Sequence, residues 1–218
     1  MMVDSNKAFY LGMAGMFGIM VLAATCEGCA SPGLPTGYNV QISSDFSASD
    51  VALIEQSFTE WTSLGDAAPT FSFAIVDHLS FPDDSDVPWA VIEIKHADHA
   101  QVVSSCNNTG DSDTSVIACT AVRGVLAHDE TGAYNLLLGS TGPVMYLPTV
   151  SEVGLQTSSP FTQVVSHEVG HACGLHHTGT GTVMCATTDC AAKAPTCADL
   201  KQYAAERPWL DASTCKGE

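Results

Sequence analysis

The string HEVGHACGLHH, residues 167–177, constrains this chain more than any other stretch of it. Ahead of it, Ser158-Ser159-Pro160 reads as a helix start, with serine at the cap and proline in the first turn, where its missing N–H costs nothing. The helix continues FTQVVSHEVGHAC and stops at Gly174, a residue that can take the left-handed conformation that ends helices. On that helix Phe161, Val165, Val169 and Ala172 share one face and should be buried. His167 and His171, four positions apart, lie together on a different face, one turn above the other. Glu168 lies between them and the apolar stripe. Two imidazoles at this spacing reach one tetrahedral Zn²⁺ without moving the backbone. Gly174 then lets the chain turn, and His177, three residues on, is the candidate third ligand.

The pattern H-E-x-x-H alone arises by chance in on the order of 1 in 100 chains of this composition. Adding the glycine and the third histidine in register cuts that to roughly 1 in 10,000. Three neutral imidazoles leave one tetrahedral corner open, which marks a catalytic rather than a structural zinc site. Glu168 is then expected to contact the reacting water rather than the metal, taking its proton as general base. Met184 follows seven residues after His177. His176 is expected to point away. His78, His96, His99 and His128 are scattered and read as solvated or structural.

Composition narrows the remaining possibilities. With 218 residues, 45% hydrophobic, the body of the chain should fold rather than stay disordered. Seven Lys and Arg against 24 Asp and Glu give a net charge of −17, which excludes polynucleotide handling and a nucleic-acid partner. Nine cysteines indicate an oxidising compartment. The uncharged run Ala8 to Ala24 reads as the apolar core of an export signal within residues 1–30. Its end can be read two ways. Gly28-Cys29-Ala30 offers a small-residue cleavage site, whereas Leu22-Ala23-Ala24-Thr25-Cys26 resembles a bacterial lipobox, with Cys26 lipidated and the protein anchored in a membrane. Cysteine parity leans to the second, which leaves eight to pair. Either way the location is extracellular or in the cell envelope.

Residues 31–37 (SPGLPTG) read as a linker. After it come a strand at 38–42, an amphipathic helix through Val51, Ile54, Phe58 and Trp61 capped by Ser47 or Ser49, and strands at 71–76 and 89–95. Further strands are expected within 116–125, 134–138 and 144–147, and a last helix over 196–206 with Thr196 and Asp199 as its capping pair. This order suggests an α+β domain with helices on a twisted mixed sheet. Cys106 and Cys119 flank a polar loop and are a sensible disulfide. Cys185, Cys190, Cys197 and Cys215 crowd the tail, and Cys173 is a candidate to join them. Asp83, Asp84 and Asp86, and likewise Asp111 and Asp113, could hold Ca²⁺, although solvated acidic loops are commoner. Asn107-Asn108-Thr109 matches a glycosylation sequon.

From Phe161 to Met184 the chain resembles the active-site region of the metzincin zinc peptidases, and is most similar to the matrixin-like group, whose H-E-x-G-H-x-x-G-x-x-H helix and methionine turn match residue by residue. The resemblance implies a metzincin-like catalytic domain over 38–218, with two main helices in an upper lobe and a small disulfide-stapled lower lobe carrying a C-terminal helix. It implies one catalytic Zn²⁺ on His167, His171 and His177, Glu168 as the catalytic residue, and a protein or peptide substrate in a cleft between the lobes. The sequence departs from the pattern at Thr178, where matrixins favour serine, and at Cys185-Ala186 after the methionine. No cysteine-switch propeptide is expected, since the first strand follows soon after the signal. The expectation is an exported, monomeric zinc endopeptidase. Its rivals are an exported zinc-binding surface protein without peptidase activity and a metal-dependent hydrolase of another small amide or ester.

Overall fold

A computed structural model describes residues 35–78, 90–106, 116–122, 126–128, 134–136, 142–157, 159–186, 190–207, 209–211, 213 and 215–216. The first strand, β1 (Gly37–Ser43), is followed by helix α1 (Ala48–Thr62) and strands β2 (Thr70–Val76) and β3 (Val91–His96). A short helix α2 (His99–Cys106) leads to β4 (Cys119–Val122), β5 (Leu126–His128), β6 (Tyr134–Leu136) and β7 (Pro143–Leu147). Helices α3 (Val150–Gln156), α4 (Phe161–Ala172) and α5 (Cys197–Ala205) complete the order. Five strands form one sheet in the order β2-β1-β3-β7-β4, parallel except for β4, which runs antiparallel along β7 at one edge. Strands β5 and β6 make a separate antiparallel pair. The α+β expectation holds.

The sheet is built on β-branched and long apolar residues in register. Val40 and Ile42 of β1 lie beside Ile92 and Ile94 of β3, and Ile94 lies beside Met145 of β7. All are buried, in one cluster with Ile54, Phe58 and Trp61 of α1 and Val165 and Val169 of α4. Each such side chain contributes about 1.5–3 kcal/mol on leaving water. Ser47, rather than Ser49, caps α1 by accepting from Asp50 N at 3.2 Å.

Two helices were not anticipated. Helix α2 begins on a reciprocal pair, Asp98 and Gln101, each side chain accepting from the other's backbone N–H at 2.8 and 2.9 Å. Helix α3 begins on a capping box between Thr149 and Glu152. That T-x-x-E signal is legible in the sequence; the segments themselves, 8 and 7 residues long, are too short to show a helical period.

Among the described residues there are three disulfides: Cys106–Cys119, joining α2 to β4, and Cys185–Cys190 and Cys197–Cys215 in the C-terminal part. They suit an oxidising, extracellular setting. Among the described residues no helix is long and apolar enough to cross a membrane. Cys173 does not join the set. It is a buried free thiol, and burial pushes its pKa up to about 12, with Arg207 pulling in the opposite direction. The parity reading fails with it, since Cys173 takes no disulfide partner and eight paired cysteines are not reached. Cys26 and Cys29 lie outside the described residues, as does the rest of the segment 1–30 read as an export signal.

The linker reading needs one correction. Gly37 already belongs to β1, and the two residues before it are held: the Pro35 carbonyl accepts from Arg207 Nε at 3.2 Å, and the Thr36 carbonyl accepts from Thr70 N at 2.9 Å. Arg207 is fully buried. Its guanidinium also donates to the Tyr203 carbonyl (3.1 Å), the Tyr38 hydroxyl (2.9 Å) and the Cys173 carbonyl (3.0 Å), and stacks 3.8 Å from the centre of the Tyr203 ring. The last residues of SPGLPTG are therefore part of the domain.

Candidate metal centre

Helix α4 carries the site and is fixed along its length. Its start differs from expectation: Pro160 is itself the N-cap, and no side chain caps the helix. The Pro160 carbonyl accepts from Gln163 N and Val164 N instead, at 3.0 and 3.3 Å, while Ser159 N donates to Thr157 Oγ1 at 3.1 Å. Ser158 lies outside the described residues. As expected, Phe161, Val165, Val169 and Ala172 are buried. Trp61 Nε1 donates to the Ser166 carbonyl at 2.9 Å, tying α1 to the middle of α4. The helix ends in a Schellman motif: Leu175 N donates to the Gly170 carbonyl and Gly174 N to the His171 carbonyl, both at 2.9 Å, with Gly174 at φ 90°. A side chain at Gly174 would be strained in that conformation.

The bend brings the third histidine back. The Nε2 atoms of His167, His171 and His177 lie 3.0 Å (167 to 171), 3.1 Å (171 to 177) and 3.2 Å (167 to 177) apart. His167 Nδ1 donates to the Val183 carbonyl and His171 Nδ1 to the Leu175 carbonyl, both at 2.8 Å. Those bonds place the ring proton on Nδ1 and leave the Nε2 lone pair of each ring turned toward the other two. Lone pairs facing one another repel unless a cation sits between them. For metal–nitrogen distances of 2.0–2.1 Å a tetrahedral edge is about 3.4 Å, close to the observed separations. The donor set therefore fits a single metal ion, and these three residues form a group that can hold one.

Electrostatics favour the ligating form. Burial, and then the neighbouring His167, pull His171 down to about 4, and burial and then His171 lower His177, so both rings are neutral at neutral pH. His167 and His171 are half-buried and His177 is exposed, which leaves one side of the group open. Glu168 stands beside the triad and is not part of it. The residue is 6% exposed, and its Oε2 accepts from Thr120 Oγ1 of β4 at 2.8 Å. Burial raises its pKa, with His167 and then the Thr120 hydrogen bond pulling it back.

Met184 is fully buried and lies against α4 at Gly170. A Cβ added to Gly170 would clash with Met184 Sδ and fall 3.2 Å from Trp61 Cζ2. The glycine of the HEVGH pentad thus lets the helix lie directly on the methionine. Gly170→Ala gains helix propensity of about 1 kcal/mol, but forces the fully buried Met184 side chain to shift within a packed core. A net loss of about 1–3 kcal/mol in urea unfolding is expected; a variant within 0.5 kcal/mol of the parent contradicts the close approach. The loop carrying Met184 is held by Asp199 of α5, fully buried, whose oxygens accept from Val183 N (3.2 Å) and Met184 N (3.4 Å) while also capping α5 with Thr196. Sequence reasoning found the cap and missed the grip on the loop.

His78, His96, His99 and His176 stay outside the group. His176 is exposed, and its carbonyl accepts from Gln202 Nε2 at 3.1 Å. His96 pairs with Glu152 at 3.4 Å, His99 lies on α2, His128 on β5, and His78 is exposed beyond β2. Asp83, Asp84, Asp86, Asp111, Asp113 and the sequon at 107–109 lie outside the described residues, so the Ca²⁺ reading has no structural test. Thr120 was missed altogether. It sits 48 positions from Glu168, and no local pattern connects the two. Compared with known proteins, the chain matches no family model and no curated protein. The site therefore stands on its own geometry: an α+β domain with three histidines able to hold a metal ion and a buried carboxylate beside them.

Proposed function

We propose that this chain is an exported zinc-dependent endopeptidase. The observation that carries the reading is the convergence of three Nε2 atoms within 3.2 Å on one open side of α4, with Glu168 adjacent. Nitrogen-only donors and a vacant fourth corner suit Zn²⁺ in its catalytic rather than structural role. When bound, zinc supplies Lewis acidity that polarises a carbonyl and makes water nucleophilic near neutral pH. His167, His171 and His177 would hold the ion, and imidazole nitrogens, unlike carboxylate or thiolate ligands, would leave its charge undiminished. Glu168 accepts the proton of the attacking water and passes it to the leaving amine, a contribution of about 10²–10⁴-fold. Met184 and Asp199 keep the floor of the site dry and in place. A buried carboxylate beside the ligands weighs against a surface protein that merely binds zinc, because binding alone has no use for a base.

Hydrolysis of an unstructured protein such as casein tests this. Activity should disappear on treatment with a zinc chelator and return with added Zn²⁺. Hydrolysis that persists in the metal-free protein, or a zinc-loaded protein inert toward casein and short peptides, overturns the reading.

A further inference from the structure

Strand β4 is the antiparallel edge of the sheet, and its second residue, Thr120, lies in register with Met145 of β7. Thr120 Oγ1 is 2.8 Å from Oε2 of Glu168 and 3.0 Å from the main-chain oxygen of the same residue. The strand that presents this hydroxyl is fixed on two sides. It is laddered to β7, and Cys119, next to Thr120, is bonded to Cys106 of α2. A threonine hydroxyl has one proton and is stiff at χ1, so its position transmits the position of the strand to whatever it binds.

We propose that Thr120 is the positioning residue for the general base: by donating to Oε2 it locks the carboxylate of Glu168 in one orientation and leaves Oε1 as the atom that takes the water proton. This rests on the peptidase reading given above. The proton passes from water to Oε1 and on to the leaving amine, while the Thr120 proton stays on its own oxygen throughout. A glutamate otherwise samples several rotamers, and a reacting group misplaced by about 1 Å loses on the order of 10²-fold. Placing the anchor on a strand rather than a loop suits that requirement.

The test compares the full chain with Thr120→Val, which keeps the shape and removes the hydroxyl, and Thr120→Ser, which keeps the hydroxyl. On a peptide substrate with zinc restored, Thr120→Val should show kcat lowered about 10–100-fold with KM within about twofold. Thr120→Ser should stay within about threefold of the parent, and zinc content should be equal in all three. Crystal structures of the metal-free proteins supply the second readout: the Glu168 carboxylate should leave its place in Thr120→Val and keep it in Thr120→Ser. Should Thr120→Val fail to fold, Thr120→Ala takes its place in both measurements. Unchanged kcat in the hydroxyl-free variant, an unmoved carboxylate, or a serine variant as impaired as the valine one overturns the proposal. A parent protein that cleaves no peptide, together with a displaced carboxylate in Thr120→Val, overturns the peptidase reading and leaves the positioning role standing.

Discussion

Glu168→Ala is expected to retain its metal and to lose about 10²–10⁴-fold in kcat, with KM little changed. Metal retention follows because the ligating atoms are the three imidazole nitrogens, two of them oriented by backbone carbonyls that the substitution does not touch. The loss of turnover follows because no group remains to carry the proton from water to the leaving amine. Glu168→Gln sharpens the result. Its amide oxygen can still accept from Thr120, so packing and orientation survive while proton transfer does not; the two variants should be impaired to a similar degree. Metal analysis by mass spectrometry alongside peptide hydrolysis checks both halves. A zinc-loaded Glu168→Ala protein that still cleaves peptides removes Glu168 from the mechanism. A metal-free one shows that the carboxylate supports the site itself, which its separation from the histidine group argues against.

Legibility in the sequence tracked distance along the chain. The three histidines fall within 11 residues, and helix geometry plus one glycine bend suffices to bring them together. The core stripe of α4, the Thr196/Asp199 cap and the alternating strands are equally local. Cys106–Cys119 was legible because the polar loop between the two cysteines is short. What escaped was non-local or unusual in its local form. Thr120 reaches Glu168 across the sheet, and Asp199 reaches back 15 and 16 positions to the methionine loop. Cys173 was misjudged because whether a cysteine pairs depends on a second cysteine lying within reach in the fold, which spacing does not reveal; Cys185 and Cys190 are just as buried and are paired. The start of α4 was misjudged because the Gln163 N–H, the donor a serine cap would take, is already given to the Pro160 carbonyl, which leaves no need for a side-chain cap there.

These non-local contacts share one effect. Helix α4 is gripped by Trp61 at Ser166, by Met184 at Gly170, by Thr120 at Glu168 and by Arg207 at Cys173, so the face bearing the histidines is held from the other sides. Three ring nitrogens brought face to face repel one another, and that rigidity offsets the repulsion.

Arg207→Met is expected to destabilise the domain by about 3–5 kcal/mol, the largest stability effect of any substitution considered. A fully buried guanidinium ordinarily needs a carboxylate, and here its partners are instead the carbonyls of Pro35, Tyr203 and Cys173 and the Tyr38 hydroxyl. Two of those carbonyls lie at helix C-termini, Cys173 closing α4 and Tyr203 in the last turn of α5. The negative ends of two helix dipoles thus stand in for the missing anion. Methionine fills much of the volume but donates nothing, so the two buried carbonyls of Tyr203 and Cys173 lose a donor at about 1–3 kcal/mol each, partly offset because no charge has to be desolvated, while the half-buried Pro35 carbonyl keeps the Tyr203 hydroxyl at 3.4 Å. Arg207→Lys, a single point of charge in place of a planar fork, should recover only part of the loss. Urea unfolding of the oxidised protein measures both; Arg207→Met within 0.5 kcal/mol of the parent contradicts the clamp. Because Cys173 immediately precedes the Gly174 bend that returns His177, the same variant should also bind zinc about 10–100-fold more weakly, as losses around metal ligands do. Glu168→Ala should not, and that contrast separates the residues that build the site from the one proposed to work in it.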